Sequence, residues 1–97
     1  MDADLMDEKV LWPTPWCVVR EQGEQYLIYN RKSDELHLLP QTGYFVFQLC
    51  DGFNTVSDIE KQLVSMMEVD EIELRSVLHN YLIKLIERGI LDMDRHE

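Results

Sequence analysis

The alternation of apolar and polar residues over the first forty positions predicts three short strands. Segments 16–21 and Gln25–Asn30 are rich in β-branched and aromatic residues, and Gly23 between them supplies a turn. A second polar turn leads into Glu35–Leu39, which Pro40 ends because proline has no backbone N–H to donate to a sheet. We therefore expect a three-stranded antiparallel meander.

Beyond Pro40 the apolar residues recur at helical spacing, which predicts two short helices. The first carries Pro40 at its first position and ends at the Asp51-Gly52 pair. The second is expected to begin at Ser57, because Ser57 with Glu60 three positions later has the form of a capping box.

A broad apolar stripe predicts a third and longer helix. It begins at Asp70 or Glu71 and runs to Arg88, with Gly89 as its C-terminal signal. Segment 90–92 is expected to be a short extended tail that packs back on the domain. The order of elements is then three strands followed by three helices, which is an α+β fold of winged-helix-like make-up.

The first sixteen residues divide into two segments of different composition. Residues 1–10 are acidic and lack periodicity, so we expect a flexible tail, with residues 11–97 forming one domain. Two prolines exclude a helix over 11–16 and predict an extended arm, not a regular element, anchored by Trp12 and Trp16.

The strand and helix periods also predict which side chains form the core. The residues in the inward-facing phases are Val18, Ile28, Leu38, Phe47, Ile59, Leu63, Leu78, Leu82 and Leu85.

Charge narrows the classes of partner. The chain has 19 acidic and 9 basic residues, and its formal net charge of −10 repels nucleic-acid phosphates and anionic lipids. No apolar run is long enough to span a membrane, and the first residues are acidic where a secretory signal is basic. We expect a cytoplasmic protein that binds neither nucleic acid nor membrane.

The residues that could carry chemistry are scattered. His37, His79 and His96 lie far apart in the sequence, as do Cys17 and Cys50, so no metal site is predicted and the cysteines are expected to be free thiols. The hydroxyl residues lie where helix caps are expected, and the glycines are isolated. We expect no cofactor and no enzymatic activity.

A spaced pattern of residues nevertheless resembles a known family. The pattern comprises Leu38-Leu39-Pro40, an amphipathic helix over 44–50, Asp51-Gly52, Thr55-Val56, Ile59 with Leu63, and the run 82–91 that closes on Gly-Ile-Leu. Over about two thirds of the chain it resembles the PqqD family, peptide chaperones whose domain is the recognition element for ribosomally made precursor peptides. Leu39 replaces the asparagine that is usual before the proline, so no side-chain cap is expected on the first helix. The arm and 36–40 resemble the PqqD-like proteins found beside HPr-kinase-related genes.

The resemblance implies a peptide-binding function. The free edge of the third strand would pair with an extended leader peptide, and the side chains of that peptide would enter a groove against the third helix, for presentation to a modifying enzyme. The residues assigned to this site are Glu35, Leu36, His37, Leu38, Leu39, Leu74, Arg75, Val77, Leu78 and Tyr81.

Three alternatives stay open at the level of sequence. The apolar surplus of the third helix is covered instead by Trp12 and Trp16, or by a second copy of the chain. The open strand edge pairs with itself in a homodimer. The domain binds DNA as a winged helix, although acidic residues on the third helix offset its basic ones.

Overall fold

The computed structural model describes residues 7–94, and the fold is the α+β arrangement that the sequence predicts. In chain order its elements are β1 (Trp12–Pro13), β2 (Cys17–Gln22), β3 (Gln25–Asn30), β4 (Glu35–Leu39), α1 (Gln41–Leu49), α2 (Val56–Met67), α3 (Glu71–Glu87) and β5 (Leu91–Asp92). No helix within the described residues is both long enough and apolar enough to cross a membrane.

The predicted meander is confirmed. Its strand order is β2-β3-β4 with antiparallel pairing throughout, and the register places Ile28 opposite His37 and Tyr29 opposite Leu36. Within the described part of the chain, β4 pairs on one side only. The backbone groups on its other side form an open sheet edge.

Two strand residues assigned to the core lie on the opposite face of the sheet. Val18 and Leu38 are 37% and 52% exposed, whereas Leu39 is 1% exposed and Val19 packs against the core. Both predicted positions belong to runs of adjacent apolar residues, in which the two-residue period of a strand has no marked phase. A one-residue shift of phase reverses every side chain, which is why these two assignments are wrong.

The helical core assignments are confirmed because helical spacing fixes the buried face more firmly. Leu82 and Leu85 are fully buried, and Ile28 lies beneath them in the same cluster. The other predicted core residues with less than a tenth of their surface exposed are Phe47, Ile59, Leu63 and Leu78.

The start of α2 differs from the prediction. Thr55 and Asp58 form the capping box: the Thr55 side chain accepts from the Asp58 N–H at 3.1 Å, and Asp58 accepts from the Thr55 N–H at 3.0 Å. The predicted partner Glu60 is instead 4% exposed and lies within the helix, facing Arg75. The first helix has no side-chain cap, as the leucine at position 39 implied.

The segment predicted as an irregular arm contains a strand. Trp12–Pro13 pairs antiparallel with Leu91–Asp92, so the tail that was predicted to pack back does so as a two-stranded ladder. Positions 7–10 of the predicted flexible tail are docked on the domain, with the Lys9 carbonyl accepting from the Val56 N–H at 2.9 Å. Residues 1–6 of that tail lie outside the described residues.

The two tryptophans have contacts of their own. The Trp12 ring covers Gly52, whose φ of 84° and lack of a side chain permit that approach. The Trp16 indole donates to the Gly89 carbonyl at 3.0 Å, and the Lys32 ammonium lies 3.7 Å from the centroid of its ring. Both rings therefore anchor the arm, and neither lines the groove described next.

Candidate functional site

An apolar groove of about 550 Å³ opens where the start of α1, the end of α2 and the first half of α3 meet. We call it the groove. Its lining residues are Pro40, Gln41, Thr42, Gly43, Phe45, Val46, Leu63, Met66, Met67, Leu74, Val77, Leu78 and Tyr81.

The α3 wall follows from helical spacing. Leu74, Val77, Leu78 and Tyr81 recur at intervals of three and four residues, so they share one face of the helix. Leu78 is buried in the core, whereas Val77 is 65% exposed. One edge of the apolar stripe on α3 thus packs in the core, and the other edge is exposed in the groove.

The α1 wall is close to α3 because it contains a glycine. A Cβ atom at Gly43 would collide with the Tyr81 hydroxyl, so only glycine permits this contact. Burial, with a smaller contribution from Cys50, raises the pKa of Tyr81 to about 12. The hydroxyl keeps its proton at neutral pH, and it is buried without a hydrogen-bond partner in the described structure. It is therefore a buried donor without a partner at the contact between α1 and α3.

The α2 wall was missed by the sequence interpretation. Met66 and Met67 lie three and four positions after the buried Leu63, so all three share a face, and both methionines stay exposed. That spacing was a usable signal. Flexible thioether side chains adapt to irregular partners, which suits a binding surface.

The five β4 residues assigned to the site lie beside the groove and not in its lining. Leu36 and Leu38 project from the outer face of the sheet, while Leu39 is buried in the core. The lining begins at Pro40, the next residue along the chain. The chain therefore passes directly from β4 into the groove lining, and Glu35 and His37 belong to the strand.

Among the α3 residues assigned to the site, Arg75 alone does not line the groove. Its guanidinium pairs with Asp7 and with Glu60, the latter at 3.5 Å. His79, one turn further on, has its Nε2 atom 3.0 Å from an Asp7 oxygen. This polar cluster fastens the N-terminal segment to α2 and α3 on the side of α3 away from the groove.

The composition of the groove lining favours the binding of apolar groups. The lining is nearly all apolar, and no group of three His, Cys, Asp or Glu side chains in residues 7–94 is arranged to hold a metal ion. Cys17 and Cys50 are free thiols. An apolar groove beside an unpaired strand edge is an arrangement that holds an extended peptide.

Comparisons with known proteins agree with this geometry. The sequence profile of the family described as Coenzyme PQQ synthesis protein D (PqqD) matches residues 25–91. No curated protein matches the chain. A solved structure described as "Lasso peptide synthetase B1 complexed with the leader peptide" superposes with a TM-score of 0.76 at 18% identity, covering 84% of this chain and 96% of the other. A second, "TbiB1 in Complex with the TbiA(beta) Leader Peptide", has a TM-score of 0.75 at 13% identity, covering 87% and 98%. At these identities the likeness shows a shared fold.

Proposed function

Because this chain belongs to the PqqD family, we propose that it is a non-catalytic chaperone that holds the leader of a ribosomally made precursor peptide and presents it to a modifying enzyme. The observation that carries the proposal is an apolar groove whose lining begins at Pro40, directly after β4, the strand with an open edge. Two structures of the same fold are described as complexes with a leader peptide, which supports it.

The β4 edge supplies affinity that tolerates many sequences. A leader segment added as a fourth strand pairs with backbone N–H and C=O groups of Glu35–Leu39, which any non-proline residue can do. Antiparallel addition runs opposite to β4, so the N-terminal end of the added strand lies near Leu39 and Pro40. The residues that precede the strand then reach the groove.

The groove supplies selectivity. An apolar leader side chain buried against Val77, Met66 and Phe45 contributes about 1.5–3 kcal/mol. One or two anchors therefore carry most of the affinity.

A pair of variants on α3 tests the groove. Val77→Asp places a charge in the groove and should weaken leader binding by at least about tenfold. Ile72→Asp is the matched control, because Ile72 is 79% exposed on the same helix but does not line the groove. Binding is measured by calorimetric titration with synthetic peptides from short open reading frames beside the gene, and folding by circular dichroism.

Equal affinities of the two folded variants would exclude the groove as the anchor site. Amide shifts on peptide addition should map to β4 and the groove; shifts confined to β2 would contradict strand addition at β4. The modifying enzyme and the subgroup associated with HPr-kinase-related genes stay proposals, which the identity of the neighbouring genes tests. A cytoplasmic location is likewise a proposal.

Self-association is the second candidate, and the exposed Leu36 and Leu38 beside the open edge favour it. A homodimer through β4 would use the same backbone groups as the leader. Size measurement at low and high protein concentration, with and without peptide, separates the two. A dimer that persists unchanged when peptide binds would place the dimer contact elsewhere.

A further inference from the structure

The mouth of the groove, at the turn between α2 and α3, is strongly acidic. Segment 66–74 has the sequence Met-Met-Glu-Val-Asp-Glu-Ile-Glu-Leu, with four carboxylates and no basic residue. Its two ends, Met66-Met67 and Leu74, line the groove. The apolar lining and the acidic mouth are therefore parts of one surface.

Helix geometry places two of these carboxylates beside the lining. Asp70 precedes Leu74 by four positions and Glu73 precedes Val77 by four, so each lies next to a groove residue on the surface of α3. Glu68 directly follows Met67 at the end of α2.

Within residues 7–94, the carboxylates of the mouth have no basic ion-pair partner. The ion pairs in the described part of the chain join Arg75 and His79 to Asp7 and Glu60, and none involves a carboxylate of segment 66–74. The α1 wall contributes no charge, since residues 40–45 are all uncharged. Lys84 lies seven positions beyond Val77, about 10 Å along the helix.

Helix capping explains only part of this acidity. Asp70 accepts from the Ile72 N–H at 2.9 Å and caps α3, and Glu71 and Glu73 lie in its first turn, where the helix dipole favours negative charge. Glu68, in contrast, does not stabilise a helix end. It is the C-cap of α2, where a carboxylate opposes the dipole, and its φ of 49° is in the left-handed region that favours glycine. Local helix stability therefore disfavours Glu68.

We infer that the groove binds a leader segment in which an apolar anchor is flanked by lysine or arginine. The inference rests on the proposed function and specifies its ligand. A lysine or arginine stem lies along Met66 or Val77 while its charged head reaches Glu68 or Glu73. An acidic leader would meet like charge at the mouth, in a chain whose net charge is already −10.

The inference is tested by selecting displayed random peptides, long enough to cover β4 and the groove, on the immobilised full chain. The variants are Glu68→Gln/Glu73→Gln and, as a control of equal charge change, Glu21→Gln/Glu24→Gln in the β2–β3 hairpin. Peptides selected on the wild type should carry an excess of lysine and arginine near an apolar anchor. The best of them should bind the groove variant roughly three- to tenfold more weakly, and the hairpin variant unchanged.

Salt gives a second readout, because added salt should weaken binding to the wild type more than to the groove variant. The inference fails if the selected peptides carry no excess of basic residues, or if the groove and hairpin variants bind equally. Peptides that need Val77 but lack basic residues would overturn the charge inference and leave the proposed function standing. If the wild-type chain enriches no peptide relative to immobilised Val77→Asp, both the charge inference and the proposed function fail.

Discussion

At the scale of single residues, the Cys50 thiol and the Tyr81 hydroxyl are both buried at the junction of α1 and α3 beside the groove. Burial, with a smaller contribution from Asp51, raises the pKa of Cys50 from 9.0 to about 12, and Tyr81 is raised to about 12 for a similar reason. Cys50 ends α1, where its thiol contacts the Val46 carbonyl at 3.4 Å. Both groups are neutral in the folded state at physiological pH, which keeps the junction of α1 and α3 apolar.

These shifts predict a loss of stability in alkali. Below pH 9 the Cys50 thiol is protonated in both folded and unfolded chains, so it has no effect. Above pH 9 the unfolded chain loses this proton while the folded chain retains it, so the free energy of unfolding falls as the pH rises toward 12. Tyr81 adds to the fall above pH 10.

Urea unfolding of the wild type and of Cys50→Ala, followed from pH 8 to 11, measures this effect. The variant should be less stable at pH 8, because it loses buried volume, but should lose less stability on going to alkali. Parallel curves for the two proteins would show that the thiol does not contribute to the pH dependence.

At the scale of elements, the start of α2 gives a direct prediction. Thr55→Ala removes the side-chain acceptor of the capping box and should lower the free energy of unfolding by about 0.5–2 kcal/mol. Ser57→Ala, two positions on and inside the helix, should change it by less than about 0.5 kcal/mol. Thermal and denaturant unfolding measure both, and a larger loss for Ser57→Ala would restore the cap that the sequence predicted.

The start of α2 also shows what sequence patterns can and cannot predict. Both Ser57 with Glu60 and Thr55 with Asp58 have capping-box spacing, and local sequence does not choose between them. Tertiary contacts do: the Val10 bridge to Thr55 holds Thr55 extended, and Glu60 is buried beside Arg75. Order and type of elements were predictable because helical and strand periods are local properties.

In the candidate site too, some features follow from local sequence patterns and others depend on long-range contacts. The groove face of α3 was predictable from its spacing, as was the free edge of β4 from the order of the strands. Arg75 lies next to Leu74 in the sequence, but its ion-pair partners, Asp7 and Glu60, are distant in the chain. Long-range ion pairs leave no periodic signal, so a sequence interpretation has no means of finding them.

At the scale of the whole molecule, charge separates a peptide chaperone from a DNA-binding winged helix. A recognition helix needs basic residues free to contact phosphates and bases. On α3 the Arg75 guanidinium is bound to Asp7 and Glu60, and the first turn carries Glu71 and Glu73. The helix that would enter a DNA groove thus presents its acidic end.

We therefore expect no binding to duplex DNA at physiological salt. Ten net negative charges oppose the release of counterions from phosphate, which supplies the baseline affinity of DNA-binding proteins. Lys84 in the last turn of α3 and Arg88 at its C-cap are too few to offset that repulsion. Fluorescence anisotropy of a labelled random-sequence duplex should stay constant on addition of protein at concentrations that saturate a selected peptide, which serves as the positive control in the same buffer. A rise in anisotropy that salt abolishes would show phosphate contacts, and it would return the winged-helix alternative to first place.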